Sequence, residues 1–248
     1  MATQHLIYEA AVPVSEARHG EWSVEVGADY GFCRGVNSVP LMEVEFPPAA
    51  GEFVIVFGGA DDTVMPVAIL GLREGQNLYV EEEGAWRAKY IPAFLRRYPF
   101  VFSSTDEQKT FTLCIDEGFP GFNQDDKGAR LFNDEGEPTE YVDNVLKFLQ
   151  QFQVEFSRTR DFCKKLKDLN LLEPMQAQVR LDSGEKMLLS GFSVVDRARL
   201  KTLPADTLAE LVSSNELELI YNHLHSMRHF SAMRDMVSAD STDSLEVT

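Results

Sequence analysis

The sequence predicts an α+β fold with an N-terminal antiparallel, β-rich part, a long central amphipathic helix, and a C-terminal β-hairpin followed by helices. Short β-branched and aromatic runs alternate with glycine and proline turns through the first third of the chain. Apolar residues then recur every three or four positions from 142 to 166. We interpret residues 1–138 and 139–237 as two regions, which either fold separately or pack as one compact domain, and residues 238–248 as a disordered tail.

Four apolar runs in the N-terminal region have the composition of β-strands. They are residues 53–57, 64–70, 78–80 and 111–115. Pro66 predicts that the second strand lies at a sheet edge or begins irregularly, because proline donates no backbone hydrogen bond. Residues 118–138 are rich in Gly, Asn, Asp and Pro, so we expect a long ordered loop or a hinge before the central helix.

The central segment has the clearest periodicity of the chain. Its repeating positions are Val142, Val145, Leu149, Phe152, Phe156, Thr159, Cys163 and Leu166. This spacing predicts one long helix, with Thr139 as its N-cap and its end before Pro174. We interpret the apolar seam as the face that packs on the chain's own core. The alternative is a coiled coil between two copies, which would make the protein a homodimer.

The C-terminal third combines a hairpin with helices. Residues 176–181 and 185–192 are strand candidates, and the turn residues around Gly184 predict a hairpin between them. Asp196 and Asp206 are candidate N-caps for two further helices. Residues 217–221 alternate as a strand does, yet they lead into a helical segment, and the pattern leaves both interpretations open.

Charge and cysteine content restrict the function. The formal net charge is −17, with 23 basic and 40 acidic side chains, which argues against non-specific nucleic-acid binding. Three widely spaced cysteines favour free thiols in a reducing compartment. The N-terminus lacks the pattern of a signal peptide, and the apolar runs are too short to span a bilayer. We therefore expect a cytoplasmic protein, or alternatively one that reaches the cell surface or medium without a cleaved N-terminal signal.

Motifs that would indicate an enzyme are missing from the sequence. It contains no phosphate-binding glycine loop, no G-x-S-x-G nucleophile elbow and no H-E-x-x-H. His223 and His225 share a face only in an extended segment, whereas His225 and His229 share one only in a helix, so the two pairings exclude each other. We therefore predict no metal and no cofactor, and we favour a protein that is not an enzyme.

Residues 86–100, which we call the cationic island, are the most informative segment. They hold four cations and five aromatic rings in fifteen residues. On a helix over 92–98 the rings would form an apolar face, with Arg96 and Arg97 pointing away from it. One interpretation is that these arginines neutralise the chain's own carboxylates, such as Glu81–Glu83. The other is that the island binds a carboxylate, a phosphate or an acidic segment of a partner.

The second interpretation defines a candidate binding site. Its residues are Trp86, Arg87, Lys89, Tyr90, Arg96 and Arg97, together with Gln76 and Asn77 from the preceding segment. The function it predicts is binding of a polypeptide or protein partner. The alternative is an enzyme, or an accessory subunit of one, acting on a peptide or a small acidic metabolite in a pocket lined by Arg87, Arg96 and Arg97.

Several stretches, in the same order along the chain, resemble the SapC family of bacterial proteins. They are residues 37–41 with 45–46, 71–80, 86–100, 113–117, 131–139 and 191–196. The resemblance implies an accessory role in the handling or export of a surface or secreted protein. It implies as partners a surface-layer or secreted protein, or a halogenase-like flavoprotein. It supplies no catalytic residues that could be assigned to positions of this sequence.

Overall fold

The computed structural model describes residues 6–27, 29–104, 111–180, 184 and 186–243. It shows the predicted α+β fold, with antiparallel sheets, a long central helix and C-terminal helices. The strands are β1 Ala11–Pro13, β2 Ser23–Val24, β3 Ser38–Pro40, β4 Val54–Gly58, β5 Met65–Ile69, β6 Phe100–Ser104, β7 Phe111–Asp116, β8 Phe122–Asn123, β9 Ala129–Arg130, β10 Leu172–Arg180 and β11 Lys186–Val195. The helices are α1 Glu16–His19, α2 Phe46–Ala49, α3 Ala93–Arg96, α4 Glu140–Asp168, α5 Arg197–Leu200, α6 Ala205–Ser213, α7 Glu216–Ser226 and α8 His229–Asp243.

The strands form three antiparallel sheets. The largest has the order β10-β11-β4-β5-β3, and two smaller sheets have the orders β1-β7-β6 and β8-β2-β9. The C-terminal hairpin therefore joins the N-terminal strands, because Phe192 and Ser193 of β11 pair with Gly58 and Phe57 of β4. Residues on both sides of the predicted boundary at 138 thus share one sheet. Apart from Gly184, the predicted hairpin turn lies outside the described residues.

Helix α4 confirms the predicted periodicity. Six of its eight seam positions are buried, and Val145 and Phe156 are partly buried against the same core. Thr159, the polar member, donates to the Glu155 carbonyl at 2.7 Å and accepts from the Glu43 amide at 2.8 Å. The seam is thus covered by the chain's own core, as the first interpretation of the periodicity requires.

One strand prediction is wrong in one of its two alternatives, and another is wrong altogether. Pro66 lies in β5, which has β4 on one side and β3 on the other rather than an open edge. The register of β5 with β3 begins only at Val67, and at Pro66 a single bond remains, from the Leu41 amide to the Pro66 carbonyl. The proline therefore lies at an irregular start of this pairing, where no N–H is needed for the ladder. Residues 78–80 form no strand, and only an isolated bridge joins Val80 to Trp86. Three residues have too few hydrogen-bonding partners here to form a ladder.

The C-terminal segments resolve an ambiguity of the sequence. Residues 217–221 are helical and belong to α7. Helix α8 continues to Asp243, so residues 238–243 of the predicted disordered tail are helical. Residues 244–248 lie outside the described part. Of the helices that the structure describes, none combines the length and the hydropathy needed to cross a membrane.

His223 of α7 connects the C-terminal helices to the large sheet. Its side chain is 0% exposed. Nδ1 lies 2.8 Å from the Ile55 carbonyl, and Nε2 accepts from the Val195 amide at 3.0 Å, which fixes the neutral tautomer with the proton on Nδ1. Both ring nitrogens are therefore engaged in hydrogen bonds, which argues against the His223–His225 pairing considered for a metal.

Candidate functional site

Two carboxylates hold the backbone of the cationic island. Glu45 accepts from the Tyr90 hydroxyl and from the Ala93 amide, each at 2.7 Å. Glu52 accepts from the Lys89 amide at 2.6 Å and from the Tyr90 amide at 3.2 Å. Because these bonds satisfy amides that precede the single turn of α3, they give an irregular segment a defined conformation.

Glu45 is buried to 3% exposure and also accepts from the Met42 amide at 2.8 Å. Burial raises the pKa of its carboxyl group, and the hydrogen bonds from Ala93, Met42 and Tyr90 oppose that shift. Burial, with the nearby Glu45, also raises the pKa of Tyr90, so the phenol remains a donor. Glu45 therefore joins the 3₁₀ turn at 43–45 to the island through three accepted bonds.

The Trp86 ring belongs largely to the core. Its centroid lies 5.6 Å from that of Tyr30 and 5.9 Å from that of Tyr79. Its indole Nε1 donates to the Tyr90 carbonyl at 2.9 Å. A buried indole needs such a partner. Among the residues predicted to bind a partner, Trp86 thus has a mainly structural role, and only part of its ring reaches the surface.

Gln76 and Asn77 bond to nearby backbone groups. Asn77 is buried, donates to the Cys33 carbonyl at 3.0 Å and accepts from the Tyr79 amide at 3.0 Å. The Gln76 side chain accepts from the Leu72 amide at 3.3 Å. Both side chains stabilise the loop that leads into the island.

Arg96 and Lys89 form the exposed cationic part of the island. The Arg96 guanidinium lies 5.9 Å from the ring centroid of Tyr90 and 5.4 Å from that of Phe148, and its Nε donates to the Ile91 carbonyl at 3.0 Å. Across the described ranges, neither Arg96 nor Lys89 has a carboxylate within ion-pair distance. Arg87, in contrast, lies 3.8 Å from Glu81. Neutralisation by residues 81–83 was predicted for Arg96 and Arg97, but among the described residues it is Arg87 that contacts this acidic run.

Arg97 does not point away from the rings, and that sequence expectation is wrong. The residue is 3% exposed, and its guanidinium carbon lies 4.3 Å from the ring centroid of Phe94, 4.8 Å from that of Phe152 and 5.6 Å from that of Tyr8. Helix α3 ends at Arg96, so the helical spacing from Phe94 no longer sets the direction of the next side chain. Arg97 consequently turns inward against α4.

The buried guanidinium of Arg97 is incompletely bonded. Nε and Nη2 have no hydrogen-bond partner in the described part of the molecule. Burial lowers the pKa of Arg97, and the neighbouring Tyr8 opposes that shift. Arginine nevertheless stays protonated in proteins, so a positive charge lies among aromatic rings, and no carboxylate of the described residues pairs with it.

This arrangement predicts an unusual response to mutation. Arg97→Met should leave the free energy of unfolding unchanged or raise it by about 1–3 kcal/mol, because an apolar side chain of similar length removes an unpaired buried charge. Urea denaturation of both proteins measures the difference. Phe94→Ala, which removes a fully buried ring from the same cluster, should instead cost about 3–5 kcal/mol. A loss above about 2 kcal/mol for Arg97→Met would mean that the guanidinium stabilises the fold.

The exposed and buried cations therefore belong to different parts of the site. Arg87, Lys89 and Arg96 are exposed, whereas Arg97 lies beneath the rings. The three arginines proposed to line one pocket thus do not share a surface. No group of three His, Cys, Asp or Glu side chains that could hold a metal ion occurs within residues that the structure describes.

The fold and the site define an α+β protein with a ring-supported cationic surface next to a buried arginine that has no ion-pair partner among the described residues. The sequence model of the SapC family matches residues 14–233, and the chain belongs to that family. This finding confirms the resemblance seen in the sequence. Neither a curated protein nor a solved structure matches the chain.

Proposed function

We propose that this SapC-family protein is an interaction protein that binds an acidic segment of a polypeptide partner through its exposed cationic surface. The surface consists of Lys89, Tyr90, Arg96 and Phe148. The observation that carries the proposal is the state of Arg96, which is exposed, supported by two rings and free of an intramolecular ion pair in the part of the chain described.

The setting of Arg96 suits binding better than neutralisation. A chain with a formal net charge of −17 offers many carboxylates, yet Arg96 lies on Tyr90 and Phe148. Rings and a backbone bond to Ile91 restrict the guanidinium, so less conformational entropy is lost when a partner binds. Arginine and aromatic residues also contribute a large share of binding energy in protein interfaces.

The overall charge restricts the kind of partner. Long-range repulsion disfavours a strongly acidic protein or a nucleic acid, so the proposed partner presents a short acidic segment on a neutral or basic body. A surface-layer protein, another secreted protein or a halogenase-like flavoprotein would be partners of the kind that the family resemblance implies. Their handling before or during export is the role we propose.

The cysteines support a cytoplasmic site of action. Cys33, Cys114 and Cys163 are buried as free thiols. Burial raises the pKa of both Cys33 and Cys163 to about 12, so these thiols stay protonated and unreactive at neutral pH. Thiols of this kind are typical of a reducing compartment.

A charge-reversal experiment tests the proposed surface. Lys89→Glu/Arg96→Glu should lose the partner that the tagged protein captures in its native host, and should weaken binding of that purified partner by about 10-fold or more. The affinity of the unmodified protein should also fall as salt rises. The melting temperature should fall by no more than about 5 °C, because Lys89 is exposed and the contacts of Arg96 with Tyr90, Phe148 and Ile91 contribute about 1–2 kcal/mol.

Arg197→Glu/Lys201→Glu is the matched control. It makes the same charge change with two exposed cations at α5. The control should bind the purified partner as the unmodified protein does. If both double variants lost the same affinity, the effect would come from net charge and not from this surface. If Lys89→Glu/Arg96→Glu bound the partner as the unmodified protein does, the proposed surface would be wrong.

A further inference from the structure

The two unpartnered nitrogens of Arg97 form one edge of its guanidinium. Nε–H and Nη2–H point in the same direction, and together they make the side-on fork that binds both oxygens of a carboxylate. Both nitrogens are buried without a partner in the described chain. The bonds missing at Arg97 are thus the two that one carboxylate would supply.

Aromatic rings surround this fork. Phe94 and Phe152 lie 4.3 and 4.8 Å from the guanidinium carbon, measured to their ring centroids. Rings at these distances exclude water from the charged group. In such surroundings the attraction between the guanidinium and a bound carboxylate is stronger than at the surface, because water does not screen it. An apolar group attached to that carboxylate would pack against the rings.

Nearby buried carboxylates are already engaged. Asp116 is 1% exposed and accepts from the Glu9 amide at 2.7 Å and from the Ala10 amide at 3.4 Å. Glu45 accepts three bonds from the island and the 3₁₀ turn before α2. Neither forms an ion pair with Arg97, so the described residues supply no counter-charge to the arginine.

Tyr8 lies over Arg97, and we call the irregular segment that carries it, residues 6–10, the cover. Its Tyr8 ring lies 5.6 Å from the guanidinium carbon, and the Tyr8 hydroxyl donates to the Phe100 carbonyl at 2.7 Å. The cover precedes β1 and lies outside the family match at 14–233, whereas Arg97, Phe94 and Phe152 lie inside it.

We propose that Arg97 is a binding site for the carboxylate of an aromatic or apolar acid, and that the cover opens to admit it. The site is separate from the exposed surface proposed to bind a protein, because Arg97 is buried while Lys89 and Arg96 are exposed. Opening breaks the Tyr8 bond to Phe100, the ring contact of Tyr8 with Tyr98, and the amide bonds of residues 9 and 10 to Asp116. The Phe94 and Phe152 rings belong to α3 and α4 and stay in place.

Benzoate is the probe for the test, and the readout is the arginine Nε–H signals in nitrogen-15 NMR spectra. The Arg97 signal is assigned by its disappearance in Arg97→Met. We expect benzoate to shift the Arg97 signal saturably, at an ionic strength held constant with sodium chloride.

Tyr8→Ala should bind benzoate about 2- to 10-fold more tightly, since the hydrogen bond and ring contact that close the site are gone. Arg97→Met should show no saturable shift of any signal from the surrounding rings.

Further variants separate this proposal from the first one. Arg96→Glu should keep benzoate binding while it weakens the protein partner, so each proposal can fail without the other. Benzoate binding by Tyr8→Ala alone would also support the site, with the cover closed in the unmodified protein. The proposal is overturned if neither protein binds benzoate, if chloride alone produces the same shifts, or if Arg97→Met binds as tightly as the unmodified protein.

Discussion

Glu45→Ala should lower the free energy of unfolding by about 3–5 kcal/mol, because it leaves three donors of a buried network without an acceptor. These donors are the amides of Met42 and Ala93 and the Tyr90 hydroxyl. Since two of them hold the island, the loss should extend to function. We expect the variant to bind the partner more weakly than the unmodified protein, even at temperatures where it remains folded.

Urea denaturation with a matched control measures this effect. Glu82→Ala removes an exposed carboxylate from the neighbouring acidic turn and should change stability by less than about 0.5 kcal/mol. Glu45→Gln keeps the side-chain length and one acceptor oxygen, so its loss should be intermediate, at about 1–3 kcal/mol. A loss below about 1 kcal/mol for Glu45→Ala would show that the island holds its conformation without this carboxylate.

Acid should destabilise the protein through His223. Burial lowers the pKa of this imidazole to about 4, from an ordinary value of 6.5. Between these two values the unfolded chain binds the proton and the folded chain does not, so stability falls as pH falls from 6.5 to 4. The contribution of His223 to this loss should reach about 3 kcal/mol below pH 4, where it levels off.

His223→Gln isolates that contribution. The amide can accept from Val195 and donate to Ile55 as the imidazole does, but it does not titrate. The variant should be less stable at pH 7 and should lose about 3 kcal/mol less than the unmodified protein on going to pH 4. His225→Gln, at an exposed position of the same helix, should keep the full acid dependence. Identical acid dependence of His223→Gln and the unmodified protein would contradict the assignment.

The prediction of the fold was most accurate where the physical signal is local and long. Helix α4 repeats its apolar spacing from 142 to 166, over about seven turns, so chance departures hardly affect the pattern. Residues 53–57 also formed a strand close to the predicted bounds. Residues 78–80 failed because three apolar residues carry little information about pairing, and the bridge to Trp86 depends on how the following turn folds.

The candidate site was only partly predictable for a related reason. Aromatic and cationic residues in 86–100 are visible in the sequence, and they do lie in one structural unit. Helix α3 has only a single turn, so the sequence contains no repeating apolar spacing that would predict which side chains face solvent. The inward position of Arg97 is decided by Phe152, far along the chain on α4. Asn77 likewise acts on Cys33, which spacing within the motif does not reveal.

By itself the sequence determined the class of fold, the central helix and the membership in the SapC family, since each depends on patterns that extend over many residues. Tertiary structure decided which cations of the island are exposed and which is buried. It also decided that Glu45 and Glu52 stabilise the island, while Arg96 and Arg97 lack a carboxylate partner within the described residues. The physical reason is that hydrogen-bond and ion-pair partners are set by contacts between distant segments, and only the packed chain brings those segments together.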